Sequence, residues 1–190
     1  MSPRRYTLKY KVGLVGDSNC QYFPMDLLKR EGIDPIMLSC SPKRARMLIH
    51  GGKLDEIIHE THEEYPDLDA VFIFIGGNDV VPECRPREIL GYILKIAESF
   101  QEIGIPQIVM PLMNRTKPKG IHVTYYKHIR NGVNRLMRRH YERNSQKGIV
   151  LNMEDLELEP DGVHLTTWGY RRLSRAIRIQ LQHCHFHNYQ

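Results

Sequence analysis

No stretch of the chain approaches the roughly 18 consecutive apolar residues that a membrane-spanning helix needs. The first ten residues, MSPRRYTLKY, carry charge with no apolar run behind it. That pattern argues against a secretory signal and makes cytoplasm or nucleus the expected compartment. Cysteine is scarce. Cys20, Cys40, Cys84 and Cys184 are far apart and form no Cys-x-x-Cys, so zinc-ribbon and thioredoxin-like chemistry lack their ligand spacing, and reduced thiols are expected. Internal repeats, low-complexity segments and interdomain linkers are also missing, which excludes solenoids and bead-like modules. The 190 residues therefore read as one domain, with a core over 11–182 between tails 1–10 and 183–190. A hydrophobic content of 41% with 26% charged residues suits a folded core rather than disorder.

Charge of one sign is missing from two segments. Residues 54–69 hold seven acids and no Lys or Arg, while 115–147 hold ten Lys or Arg and only Glu142. The second segment predicts a helix over 125–143 whose basic arc carries Lys127, Arg130, Arg135, Arg138 and Arg139, with Tyr125, Tyr126 and Tyr141 interleaved. Two readings stay open there: a face that meets single-stranded RNA through phosphate contacts and stacking, or a solvated basic face. The terminal HCHFHNYQ offers metal-ligand types at His183, Cys184, His185 and His187, and reads as a frayed, solvated tail. His59 and His62 read as solvated histidines on an acidic helix.

The residues present fall into an alternating pattern. VGLV (12–15), IML (36–38), AVFIFI (70–75), QIVMPL (107–112) and GIVLNM (148–153) are short, β-branched, nearly continuous apolar runs. Such runs suit parallel strands buried on both faces. Between them, residues 86–104 place Ile89, Ile93, Ile96, Ala97, Phe100 and Ile103 on one helical stripe, with Pro86 near its start and Gly104 at its end. Residues 125–143 place Ile129, Val133, Leu136 and Met137 on another stripe. A last helix is expected from about Thr167 to His183, capped by Thr166 or Thr167. Strictly alternating strands and helices predict an α/β fold, a three-layer α/β/α sandwich on a five-stranded parallel sheet.

Sheets of this kind carry their sites at the carboxyl ends of the strands. Three polar clusters fall there: GDSN (16–19), GGND (76–79) and DGVHLT (161–166). Each alone reads equally well as a loop. Together they supply the parts of an acyl-transfer site. A serine hydroxyl needs a base to take its proton, and His164 offers an imidazole. The imidazole needs its second nitrogen held, and Asp161 lies three residues away. An oxyanion needs preorganised donors, for which the Asn78 amide and the Ser18 backbone N–H are candidates.

These three blocks resemble the SGNH, or GDSL-type, hydrolase superfamily: GDS after the first strand, Gly-x-Asn-Asp after the third, and Asp-x-x-His near the C-terminus. DGVHLTTWGYRRL resembles the last block closely, and the likeness spans residues 11–180. The resemblance implies a flavodoxin-like fold and a serine esterase cleaving a carboxylic ester, acetyl or lipid acyl, without metal or cofactor. Ser18 would be the nucleophile, His164 the base, Asp161 its orienter and Asn78 an oxyanion donor, with Asp17 and Asp79 bracing loops. A small domain of this shape also resembles esterase-like domains encoded in LINE-type retrotransposons. One departure stands out. The family's usual glycine after the second strand is replaced by SCSPKRARML (39–48), where Pro42 has no N–H to give and Ser41 or Lys43 would have to complete the oxyanion hole. SGNH folds also include members that lost catalysis and bind partners, which keeps a non-catalytic RNA-binding module as the alternative.

Overall fold

A computed structural model describes residues 7–41, 43–144, 148–153 and 155–187. Pro42 and the last three residues of the histidine-rich run lie outside them. Five strands, β1 (Tyr10–Gly16), β2 (Ile33–Cys40), β3 (Ala70–Phe74), β4 (Gln107–Val109) and β5 (Gly148–Val150), form one parallel sheet in the order β2-β1-β3-β4-β5. This is the strand order of the flavodoxin-like doubly wound sheet. Seven helices connect and follow the strands: α1 (Ser18–Gln21), α2 (Met25–Arg30), α3 (Ala45–His50), α4 (Lys53–Glu64), α5 (Pro86–Glu102), α6 (Val123–Arg143) and α7 (Thr167–His187).

The continuous apolar runs follow from burial on both faces. Strand side chains alternate, so Val12, Leu14, Phe72, Phe74 and Ile108 pack beneath α2 and α7, whereas Val15, Val71, Ile73 and Val109 pack beneath α3 to α6. Burying one such side chain contributes roughly 1.5–3 kcal/mol, and this double core holds the layers together. The central strands are enclosed throughout β3 and β4 and from Val12 onward in β1. The edge strands β2 and β5 are half-buried along most of their length, unlike the uniform burial their apolar runs predict. The expected single helix between strands is also split in two places, into α1 and α2 after β1 and into α3 and α4 after β2.

Most of the predicted α5 stripe is buried, Ile89, Ile93, Ile96, Ala97 and Phe100, while Ile103 lies half-buried just past the helix, which ends at Glu102. In α6, Ile129, Val133 and Met137 are buried, but so are Tyr126 and Tyr141. Those two rings belong to the core stripe and are no stacking platform for bases. Tyr125 is half-buried, its hydroxyl donating to the Pro82 carbonyl at 3.3 Å. Arg130 departs from the solvated arc as well: its guanidinium lies 3.8 Å from Asp155 with 11% of the side chain exposed. Lys127, Arg135 and Arg139 are exposed, and Arg138 is half-buried. At the other end, α7 continues four residues past the predicted His183 terminus. Thr166 caps it, its hydroxyl accepting from the Gly169 N–H at 3.1 Å. Among the described residues no group of three His, Cys, Asp or Glu side chains gathers as a metal site, and no helix is long and apolar enough to cross a membrane.

Candidate active site

The turn after β1 is tight because Gly16 has no side chain. A Cβ there would sit 2.5 Å from the Phe74 carbonyl oxygen and 2.4 Å from the Cys20 Cβ. Asp17 then caps α1, its Oδ1 accepting from the Asn19 N–H at 3.0 Å. The result puts Ser18 at the first position of a helical turn, at the carboxyl end of a central strand. Its backbone N–H meets no acceptor among the described residues.

The last block comes back to this point. His164 Nε2 lies 2.9 Å from Ser18 Oγ, and His164 Nδ1 lies 2.5 Å from Asp161 Oδ2. The second carboxylate oxygen of Asp161 accepts from the N–H groups of Val163 (2.8 Å) and His164 (3.0 Å), which folds the loop about the carboxylate. Those bonds hold the anion and pull the Asp161 carboxyl down to about 2, the His164 backbone N–H acting most strongly and its ring next. A lowered carboxyl stays ionised above its shifted value, so Asp161 is an anion throughout the neutral range. An NMR titration is expected to place the Asp161 carboxyl near 2, and His164→Ala to raise it only part of the way to 3.8, since the backbone bonds remain. An Asp161 titrating at 3.8 in the wild type would remove the imidazole-holding role.

Asn78 reaches the same cleft from the 3-10 turn Gly77–Asp79 after β3. Its Oδ1 accepts from Arg115 Nη1 at 3.0 Å, which fixes the amide so that its oxygen, not its NH2 group, faces the guanidinium. Asp79 lies fully buried behind it and accepts from the N–H groups of Ala45 (2.7 Å) and Arg46 (3.2 Å), tying the post-β3 turn to the start of α3. Ser41 is not brought to the site. Its N–H donates to the Gly16 carbonyl at 3.1 Å, extending the pairing of β1 and β2. Neither Ser41 nor Lys43 lines the cleft.

Two residues that the motifs did not single out hold these parts together. Asn19 bridges the first and last blocks. Its Oδ1 accepts from the Leu165 N–H at 3.0 Å and its Nδ2 donates to the Val163 carbonyl at 3.2 Å, clamping the backbone on both sides of His164. Arg115, 7% exposed, spans from Asn78 to Asp17, whose Oδ2 lies 3.6 Å away. Burial pushes the Asp17 carboxyl up, and the guanidinium is the main force pulling it back. Gly77 makes room: a Cβ there would stand 2.6 Å from Arg115 Nη2. Arg115 is itself placed by α6, where Asn134 makes two bonds to the Leu112 backbone and Tyr126 donates to the Met113 carbonyl.

The cleft over Ser18 has a volume of about 700 Å³, within the usual range for small-molecule sites. Solved structures with this architecture include a GDSL-like lipase from Bacteroides thetaiotaomicron, matched with a TM-score of 0.68 over 92% of this chain and 88% of that one at 16% identity. A lipase/acylhydrolase from Enterococcus faecalis matches with a TM-score of 0.60 over 92% and 96% at 18% identity. A structure presented as a candidate SGNH hydrolase from Slackia heliotrinireducens matches with a TM-score of 0.69 over 90% and 97% at 10% identity. The fold is that of the SGNH hydrolases. No protein-family profile and no curated protein matches the chain.

Proposed function

We propose that this protein is a serine esterase that cleaves a carboxylic ester through an acyl-enzyme. The observation that carries the reading is the continuous relay from Asp161 through His164 to Ser18, at 2.5 and 2.9 Å, at the floor of an open cleft. In the first step Ser18 Oγ attacks the ester carbonyl while His164 Nε2 takes its proton. Asp161 keeps the ring oriented and offsets the charge of the imidazolium. The Ser18 N–H and the Asn78 amide donate to the oxyanion. The imidazolium then protonates the leaving alkoxide, which departs as the alcohol. A water, deprotonated by the same imidazole, attacks the acyl-Ser18 carbonyl, releasing the carboxylic acid and returning the proton to Ser18.

A fluorophosphonate probe tests this directly, because it forms a covalent adduct only with an activated serine. Labelling is expected at Ser18, read by mass spectrometry of the tryptic peptides. No adduct, or an adduct elsewhere, would sink the assignment. Asn78→Ala is expected to lower turnover of a short para-nitrophenyl ester by about 100- to 1,000-fold, with KM little changed, because its donor acts on charge that develops only in the transition state. A loss below about tenfold would leave the hole without its amide.

A further inference from the structure

The cleft is lined by charge of a single sign. Arg44, Lys119 and Arg115 border it together with Ser18, Asn78 and His164, and among the described residues no Asp or Glu does. Arg115 is occupied by Asp17 and Asn78. The other two cations are different. The Arg44 and Lys119 side chains make no hydrogen bond or ion pair among the described residues, and Asp79, whose charge Arg44 favours from a distance, is fully buried with both oxygens held by backbone N–H groups.

Their places in the chain matter. Arg44 caps the start of α3, in the connection after β2, and Lys119 lies in the connection after β4. In the order β2-β1-β3-β4-β5 those two strands flank β1 and β3, which carry Ser18 and Asn78. Two uncommitted cations therefore stand on either side of the reacting position, with Met47, Val80, Val81 and Ile121 as the apolar part of the wall. Met47 is an exposed methionine on α3, the helix that Arg44 caps. An uncharged ester needs neither cation. A cleft with such walls concentrates and retains anions, and two cations without an ion pair of their own among the described residues select for them.

Resting on the esterase reading above, we propose that the natural substrate is an ester that carries an anionic group, carboxylate, phosphate or sulfate, next to a short apolar segment. Arg44 and Lys119 hold the anionic group, and the apolar wall takes the rest. The anion sits on the alcohol that leaves or on the acyl group that Ser18 receives; the two cases share one chemistry and separate by experiment.

Two matched pairs of substrates provide the test. Para-acetoxybenzoate against para-acetoxybenzamide places the charge on the alcohol. The para-nitrophenyl monoester of adipic acid against para-nitrophenyl hexanoate places it on the acyl chain. For each pair, the ratio of kcat/KM for the anionic to the neutral ester is compared between the wild type and the Arg44→Gln/Lys119→Gln double variant, so intrinsic reactivity cancels. In at least one pair the ratio is expected to fall about tenfold in the variant, and to fall in the wild type as salt rises from about 0.05 to 0.5 M. The pair that responds identifies the side of the ester that is charged. Ratios that are the same in wild type and variant for both pairs, or that are insensitive to salt, overturn the proposal while leaving the esterase intact. A protein that hydrolyses none of the four esters and takes no fluorophosphonate overturns the esterase reading, and this proposal with it.

Discussion

Ser18→Ala is expected to lower ester hydrolysis by about 10⁴-fold or more and to abolish fluorophosphonate labelling. The folded state should barely notice. The hydroxyl's bond is to His164 at the cleft floor, so the loss of stability should stay within about 1 kcal/mol. A chemical denaturation curve close to wild type, beside a dead enzyme, is thus the expected pair of results. Asp161 is expected to keep its charge in the same assays: its carboxyl is held at about 2, chiefly by the His164 backbone N–H and ring, so it loses its charge only in strong acid. A Ser18→Ala protein that retains a tenth of wild-type turnover would mean that another group performs the attack.

What could be read from the sequence, and what could not, follows from how local each interaction is. The central strands are legible because both their faces are buried, which leaves no polar alternation to confuse the reading. The edge strands β2 and β5 are half-buried along most of their length, and the bounds of β2, β5 and also of β4, which spans only Gln107–Val109, differ from their apolar runs. Ser18, Asp161 and His164 stand in compact blocks whose turn residues announce them. Arg115 carries no such signal, and Asn19 stands in the first block with nothing local to mark its partner. Asn19 meets Leu165 across 146 residues and Arg115 meets Asn78 across 37, so their roles exist only once the chain is folded. Tyr126 and Tyr141 are a different case. With Ile129, Val133 and Met137 they complete a stripe at helical spacing, so the burial of both was legible as core. Counting the tyrosines with the basic arc obscured that stripe, and with it went the aromatic part of an RNA-binding surface.

Arg115 is the position where an unremarkable residue should prove most expensive to lose. It is the cation facing the buried carboxylate of Asp17, and it also sets the Asn78 amide. Arg115→Ala leaves Asp17, 2% exposed, without its guanidinium, and breaking such a pair from one side costs about 3 kcal/mol or more. The Asp17→Asn/Arg115→Ala double variant should recover part of that loss, because no unpaired charge is left in the interior. Turnover separates the second role from the first. Arg115→Lys keeps a cation near Asp17 but not the planar fork that reaches Asn78 as well. It is therefore expected to denature near the wild type yet to turn over an uncharged ester about 100-fold more slowly, since a slight misplacement of the oxyanion donor costs about that much. The measurements are urea denaturation and para-nitrophenyl acetate hydrolysis on the same preparations. If Arg115→Ala unfolds within about 1 kcal/mol of wild type, the buried pair is not holding the turn at Ser18. If Arg115→Lys hydrolyses the ester as fast as wild type, Asn78 is oriented by something other than Arg115.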